Sequence, residues 1–161
     1  LIGEWSQASF DYSQRIGLWS GACWTDFLDD GGMAMSFLAG TVRRINPGQS
    51  KTNCVNCVIA TEAMLAGRPA SALPGGPDSI AILERIFGAK FSGVGHLGEV
   101  AQALLAAGSG SRGIVYGSRG GGVGHVFNAV NQYGVIRFLD GQTGTAAVVG
   151  GYTALRFLRT K

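Results

Sequence analysis

The stretch Asn53-Cys54-Val55-Asn56-Cys57-Val58-Ile59-Ala60-Thr61-Glu62-Ala63-Met64-Leu65-Ala66-Gly67 carries its apolar residues at helical spacing and opens on a thiol. Val55, Val58, Ile59, Ala63 and Ala66 recur three and four residues apart, which predicts a helix over 54–66. Gly67 is its stop, with Pro69 just beyond. Asn53 stands where an N-cap belongs. Cys54 therefore falls in the first turn, where unpaired amides and the positive end of the helix dipole favour a thiolate.

Upstream, Ile45-Asn46-Pro47-Gly48 is a turn signal that separates this helix from an aromatic-rich segment containing Trp5, Phe10, Tyr12, Trp19, Trp24, Phe27 and Phe37. Within that segment a short helix is expected over Gly32–Val42. Downstream, Ala70–Asp78 reads as a Pro/Gly loop, and Asp78 or Ser79 caps a helix that runs through Phe87. Leu97–Ala107 is a third helix closed by Gly108. Gly113–Tyr116 is then a short strand, followed by a glycine-rich loop over Gly117–Gly124. His125–Val130 and Val135–Asp140 are strands around Asn131–Gly134, and Ala146–Val149 and Ala154–Leu158 are further strand candidates. Helices first and an antiparallel sheet second predict the α+β class. A single domain is expected over 1–161, with 1–45 an aromatic-rich extension and 46–161 the core.

The hairpin has a geometry that can be worked out in advance. If Asn131–Gly134 forms the turn, facing residues have numbers that sum to 265, and His125 lies directly opposite Asp140. Directly paired Cβ atoms are about 4.5–5.5 Å apart, within reach of a carboxylate–imidazole hydrogen bond. A turn at Tyr133-Gly134 instead puts Gln142 opposite His125. A carboxylate on one imidazole nitrogen fixes the tautomer and frees the other nitrogen for acid–base work. A thiol at a helix start, then a strand histidine, then an aspartate on the adjacent strand is the papain-like order.

Composition limits the alternatives. The 161 residues suffice for one domain with a real core, and 46% hydrophobic against 14% charged residues describes a globular chain of low charge. The 27 glycines are not periodic, which excludes a collagen-like chain. No apolar run approaches the ~18 residues of a membrane span, so no membrane association is expected. The net charge of +3 is modest, and neither Arg43-Arg44 nor Arg156, Arg159 and Lys161 is interleaved with aromatics, so nucleic-acid binding is not expected either. The chain opens on Leu1 rather than Met, as a piece of a longer protein would.

Cys23, Cys54 and Cys57 are an odd number and make no complete disulfide framework. For zinc, the Cys54-x-x-Cys57 pair finds only His96 and His125, neither at finger spacing. For a thioredoxin-type couple it lacks a preceding strand. No cofactor or metal is expected.

Asn53–Thr61, followed by Ala66-Gly67-Arg68-Pro69-Ala70-Ser71-Ala72-Leu73, resembles the papain-fold toxin family described as toxin glutamine deamidase, and so do Gly124-His125-Val126-Phe127-Asn128 and Phe138-Leu139-Asp140-Gly141-Gln142-Thr143-Gly144. The resemblance covers roughly residues 46–150. It implies a papain-like cysteine hydrolase fold, with Cys54, His125 and Asp140 at the matching triad positions and no departure at those three. It also implies a toxin module at the C-terminal end of a larger secreted bacterial protein, delivered into target cells, with a protein substrate there and a cognate immunity protein in the producer. Residues 1–45 fall outside it.

Two other cysteines compete for the nucleophile. Cys57 is one turn further in, where the amides are already bonded and the dipole is weaker. Cys23 lies in Gly21-Ala22-Cys23-Trp24 without a clear cap and reads as a buried residue, while His96 reads as a helix-capping or surface residue. Gln49 and Asn53 precede Cys54, as an oxyanion-stabilising side chain would, without papain's spacing. The same triad serves side-chain deamidation, peptide cleavage or transglutamination, and the family resemblance favours the first. The non-enzyme alternative is a binding module in which Cys54 and His125 are structural. A nuclease would need an acidic or metal-ligand cluster, for which Asp26, Asp29 and Asp30 are the nearest approach.

Overall fold

The predicted central helix is present as α1, Cys54–Leu65. The computed structural model describes residues 14–18, 41–122 and 124–161. Every residue of α1 from Val55 to Met64 is buried, so the helix is surrounded by protein on all sides. Its polar side chains are accordingly bonded: Thr61 Oγ1 donates to the Cys57 carbonyl at 2.8 Å, and Glu62 pairs with Arg112 at 3.1 Å. The C-terminus closes as the sequence requires. Gly67 takes a left-handed φ of 85°, Arg68 N–H reaches the Ala63 carbonyl, and Gly67 N–H reaches that of Met64. These two bonds are the Schellman pattern.

Among the described residues the other helices are α2, Ala81–Phe87, which starts two to three residues after the expected cap, and α3, Leu97–Ala107, at its expected bounds. A 3-10 turn covers Thr41–Arg44. The strands among the described residues are β1 (Ile16–Leu18), β2 (Ala70–Ala72), β3 (Ser92–Val94), β4 (Arg112–Ser118), β5 (Gly124–Gln132), β6 (Val135–Asp140), β7 (Thr145–Ala146) and β8 (Ala154–Arg159). β1 and β2 form a small antiparallel pair, and the remaining six form one antiparallel sheet in the order β3-β8-β4-β5-β6-β7. The class is α+β with the papain-like order of elements.

The sheet is covered on both faces. Ile114, Val126, Val130 and Leu139 join α1 in one apolar cluster, whereas Val115, Phe127 and Ala129 pack with Val100 and Leu104 of α3. Alternation along β5 sends its odd and even residues to opposite layers, which is why this strand reads as a nearly continuous apolar run. Asn128 is the polar exception on the α1 side, and its Nδ2 donates to the Val58 carbonyl at 3.1 Å.

Several expectations change. Ala70–Asp78 contains β2, β3 was not anticipated, and the strand expected at Ala146–Val149 is the two-residue β7. The glycine-rich loop is shorter than expected because β4 extends to Ser118. The hairpin turn is Tyr133-Gly134, with φ of 54° and 88°, the doubly left-handed geometry of a type I′ turn. Gln132 pairs with Val135 and Asn128 with Leu139, so facing numbers sum to 267. His125 is therefore not directly opposite Asp140. The helix expected over Gly32–Val42 lies almost wholly outside the described residues.

Candidate active site

The shifted register still unites the two side chains. Continued by one step, it sets Asp140 beside Phe127, and His125 is the diagonal neighbour two residues on, on the same face of the sheet. Diagonal neighbours are about 7–8 Å apart, a span that two polar side chains can close. His125 Nε2 lies 2.8 Å from Asp140 Oδ2.

Asp140 is held from the other side by its own turn. Its Oδ1 accepts from the backbone N–H of Gln142 at 2.9 Å and of Thr143 at 3.4 Å. Gly141 makes this turn possible. A Cβ there would stand 2.6 Å from Thr61 Oγ1, 2.7 Å from Ile45 Cγ2 and 3.2 Å from the Cys57 carbonyl, so only glycine lets the turn press against α1.

The electrostatics follow from these contacts. Burial works against a charged His125, yet the hydrogen bonds and charges of Asp140 and Cys54 outweigh it and raise the imidazole to about 9 from 6.5. Burial likewise opposes a charged Asp140, and the His125 bond and charge, with the two turn amides, hold its carboxyl below the usual range. Because Nε2 is committed to Asp140, Nδ1 is the nitrogen left for Cys54.

Cys54 is the first residue of α1 and half-buried. Asn53 occupies the N-cap position but makes no side-chain cap bond. Its Nδ2 instead donates to Asn46 Oδ1 and to the Leu73 carbonyl, both at 3.1 Å. Asn46 in turn donates to the carbonyls of Ser50, at 2.8 Å, and Gln142, at 3.1 Å. This carboxamide network ties the start of α1 to the turn that carries Asp140. The Gln142 side chain completes it, lying against the backbone N–H of Cys54.

Cys54 and His125 face a cleft of about 480 Å³ whose other walls include Asp78, Ile80, Tyr116 and Gly122. Arg15 braces that rim: its guanidinium bonds Asn56 Oδ1 at 3.1 Å and Asp78 Oδ2 at 2.8 Å. A segment to which the sequence assigned no role thus supports the cleft. On the facing loop, Arg119 sits 4.8 Å above the Tyr152 ring and bonds its hydroxyl at 3.3 Å. A larger cavity of about 700 Å³ is lined by Arg43, Asn46, Gln49, Lys51, Gln142 and Thr143. It contains neither Cys54 nor His125, so the smaller cleft is where thiol chemistry can occur.

The remaining candidates separate clearly. Cys57 is 1% exposed, and burial first, then the Cys54 and Asp140 charges, push its thiol far up. Its Sγ points at Asn53 Oδ1, 3.5 Å away, so it packs as a neutral thiol. His96 stands at the α3 N-cap position without a side-chain cap bond, 3.9 Å from Glu99, and does not line the cleft. Gln49, with a left-handed φ of 52°, faces the larger cavity. Cys23 and the Asp26, Asp29 and Asp30 group lie outside the described residues. Among the described residues no three His, Cys, Asp or Glu side chains converge as metal ligands, and no helix is long and apolar enough to cross a membrane.

Sequence reasoning missed the roles of Arg15 and Asp78, and it named Gln142 only as the residue opposite His125 in the alternative register, without its contact with the start of α1. The signal for the last was the Asp-Gly-Gln run itself, since a turn whose amides bond the Asp carboxylate directs the next side chain back toward α1.

The family model described as papain fold toxin 1, glutamine deamidase, matches residues 52–145. No curated protein and no solved structure matches the chain. Cys54, His125 and Asp140 all lie inside the matched span, which is more than half of the 161 residues, and the chain belongs to the papain fold toxin 1 family of glutamine deamidases.

Proposed function

We propose that this domain hydrolyses the side-chain amide of a glutamine in a target protein, using Cys54 as nucleophile, His125 as acid and base, and Asp140 as the group that holds the imidazole. The observation that carries the reading is His125 bonded to Asp140 at 2.8 Å while sharing the cleft with the helix-initial Cys54. The raised proton affinity of His125 supports an imidazolium held beside Cys54, ready to donate a proton.

In this mechanism the Cys54 thiolate adds to the carboxamide carbon, and the carbonyl electron pair moves onto oxygen. The Cys54 backbone N–H, unpaired within the helix, is the donor for that oxyanion. The imidazolium gives its proton to the amide nitrogen as the C–N bond breaks, so ammonia departs and a thioester remains. Neutral His125 then takes a proton from water, and hydroxide adds to the thioester. Collapse returns the thiolate and releases the carboxylic acid, with His125 again protonated, and the acid gives its proton to the departed ammonia in water. The net change is glutamine plus water to glutamate plus ammonium. Asp140 steadies the imidazolium throughout and keeps Nδ1 aimed at the reacting atoms.

The toxin description of the family supports a further reading: the domain is a part of a larger protein, secreted or delivered into target cells, whose producer makes an immunity protein that covers the cleft. No cofactor enters the mechanism.

Intact-mass labelling with iodoacetamide at pH 6 tests the activated pair, because an unperturbed thiol is mostly protonated there. The expected result is fast single labelling, lost in Cys54→Ala and slowed in His125→Ala. Ammonia release from carbobenzoxy-Gln-Gly and from denatured casein then tests the reaction. Backbone cleavage of casein without ammonia would replace deamidation by peptidase action, and incorporation of an added primary amine would replace it by transglutamination. A thiol that labels slowly, with no release, would leave a binding module.

A further inference from the structure

The carboxamide of Gln142 stands where the oxyanion of the reaction proposed above would form. With its Oε1 turned toward α1, it accepts from the backbone N–H of Cys54 at 3.1 Å and of Asn53 at 3.3 Å. The opposite orientation gives Nε2 one long hydrogen bond, 3.4 Å to Asn53 Oδ1, but points that donor at two backbone donors, so two shorter bonds against one select the first. In that pose a glutamine carbonyl oxygen already holds the amide that a substrate glutamine needs.

Only the side chain is free to leave. The Gln142 backbone is fastened at both polar atoms, its N–H to Asp140 Oδ1 at 2.9 Å and its carbonyl to Asn46 Nδ2 at 3.1 Å. Gly141 pins the same turn against α1. Any displacement of the turn as a whole would pull Asp140 from His125. Gln142 itself lines the neighbouring cavity of about 700 Å³, which is large enough to take a rotated glutamine side chain.

We propose that Gln142 is an internal stand-in for the substrate: it closes the oxyanion position of the free domain with its own carboxamide, and it must swing into the neighbouring cavity before a glutamine side chain can react. This rests on the deamidase reading and adds to it that the subsite at Cys54 N–H recognises a carboxamide oxygen. Two accepted hydrogen bonds of ordinary net strength favour the closed form by about 5- to 150-fold. Productive binding is weakened by the same ratio, since only the open fraction is competent.

The test measures two rates on the intact domain: ammonia release from carbobenzoxy-Gln-Gly, and alkylation of Cys54 by iodoacetamide, whose carbonyl competes for the same N–H. Gln142→Met keeps the length but loses the acceptor, and Gln142→Ala is the second variant should Met disturb packing. Both are expected to raise kcat/KM and the alkylation rate by about 5- to 150-fold. Gln142→Glu, a stronger acceptor, is expected to lower both. A loss of about 10²–10³ in kcat for Met and Ala would overturn the proposal and make Gln142 an oxyanion donor. Unchanged rates in a wild-type-like active domain would overturn it as well. If no variant releases ammonia while Cys54 alkylation still rises in Gln142→Met, the closure stands and the deamidase reading is what fails.

Discussion

Asp140→Asn changes one charge at nearly constant volume, and its effect can be worked out from the site. In the native domain Asp140 Oδ2 is 2.8 Å from His125 Nε2, and the imidazole is raised to about 9 from 6.5. That rise corresponds to roughly 3 kcal/mol in favour of the imidazolium, at about 1.4 kcal/mol for each tenfold change in proton affinity. Burial, the largest influence on His125, acts downward, and Asp140 and Cys54 supply the opposing bonds and charges. With the carboxylate gone, burial is opposed by Cys54 alone, and the His125 midpoint is expected to fall to about 6.5 or lower. Side-chain NMR titration reads this directly, because the only other histidine is His96, at the α3 N-cap position. Stability gives an independent check. The folded state binds the His125 proton more tightly than the unfolded chain does, so this contribution is complete below pH 6.5 and is lost as pH rises through about 9. Urea unfolding of the wild type is therefore expected to lose up to roughly 3 kcal/mol across that window, and Asp140→Asn to lose little there. A His125 midpoint that stays near the native value in Asp140→Asn would refute the argument that Asp140 holds the imidazolium.

Three further outcomes are expected. Gly141→Ala forces a Cβ to within 2.7 Å of Thr61 Oγ1 and Ile45 Cγ2, and it should cost about 1–3 kcal/mol in urea unfolding and slow Cys54 alkylation as the Asp140 turn lifts. Arg112→Ala strands Glu62, which is 4% exposed and already drawn toward its neutral form by burial, and should cost about 3–5 kcal/mol while leaving Cys54 labelling in the folded fraction intact. Cys57→Ala should keep single, fast labelling at pH 6 by intact mass, since the buried Cys57 thiol is held neutral; loss of labelling would move the nucleophile to Cys57.

Much of the fold was legible in local pattern. Helix α1 follows from apolar spacing and the Gly67 stop, α3 from its periodicity and Gly108, and β6 from the Val135–Asp140 run. The short strands β2 and β3 were not legible. Ala70-Ser71-Ala72 and Ser92-Gly93-Val94 carry no strand signal of their own and pair with β1 and β8, remote in sequence. The hairpin takes the register that the sequence offered only as its second choice, for a related reason. Tyr133 takes a left-handed φ because the Ser109 hydroxyl, 24 residues away, accepts its N–H at 3.0 Å, while Asn131 Oδ1 accepts from Gly134 at 2.8 Å.

The sequence by itself determined that a cysteine begins a helix and that a histidine and an aspartate share one face of a hairpin, because helix periodicity and strand alternation are local properties. Alternation explains why the two-unit error in register did no harm: a shift of two in the sum returns each side chain to the same face, one step along. Only the tertiary structure decided which imidazole nitrogen meets the carboxylate, that Arg15 braces the cleft, and that Gln142 covers the Cys54 amide. The last two depend on segments far apart in the chain meeting at a distance of a single hydrogen bond, and the first on how two side chains of one hairpin turn toward each other; no spacing within one segment encodes either.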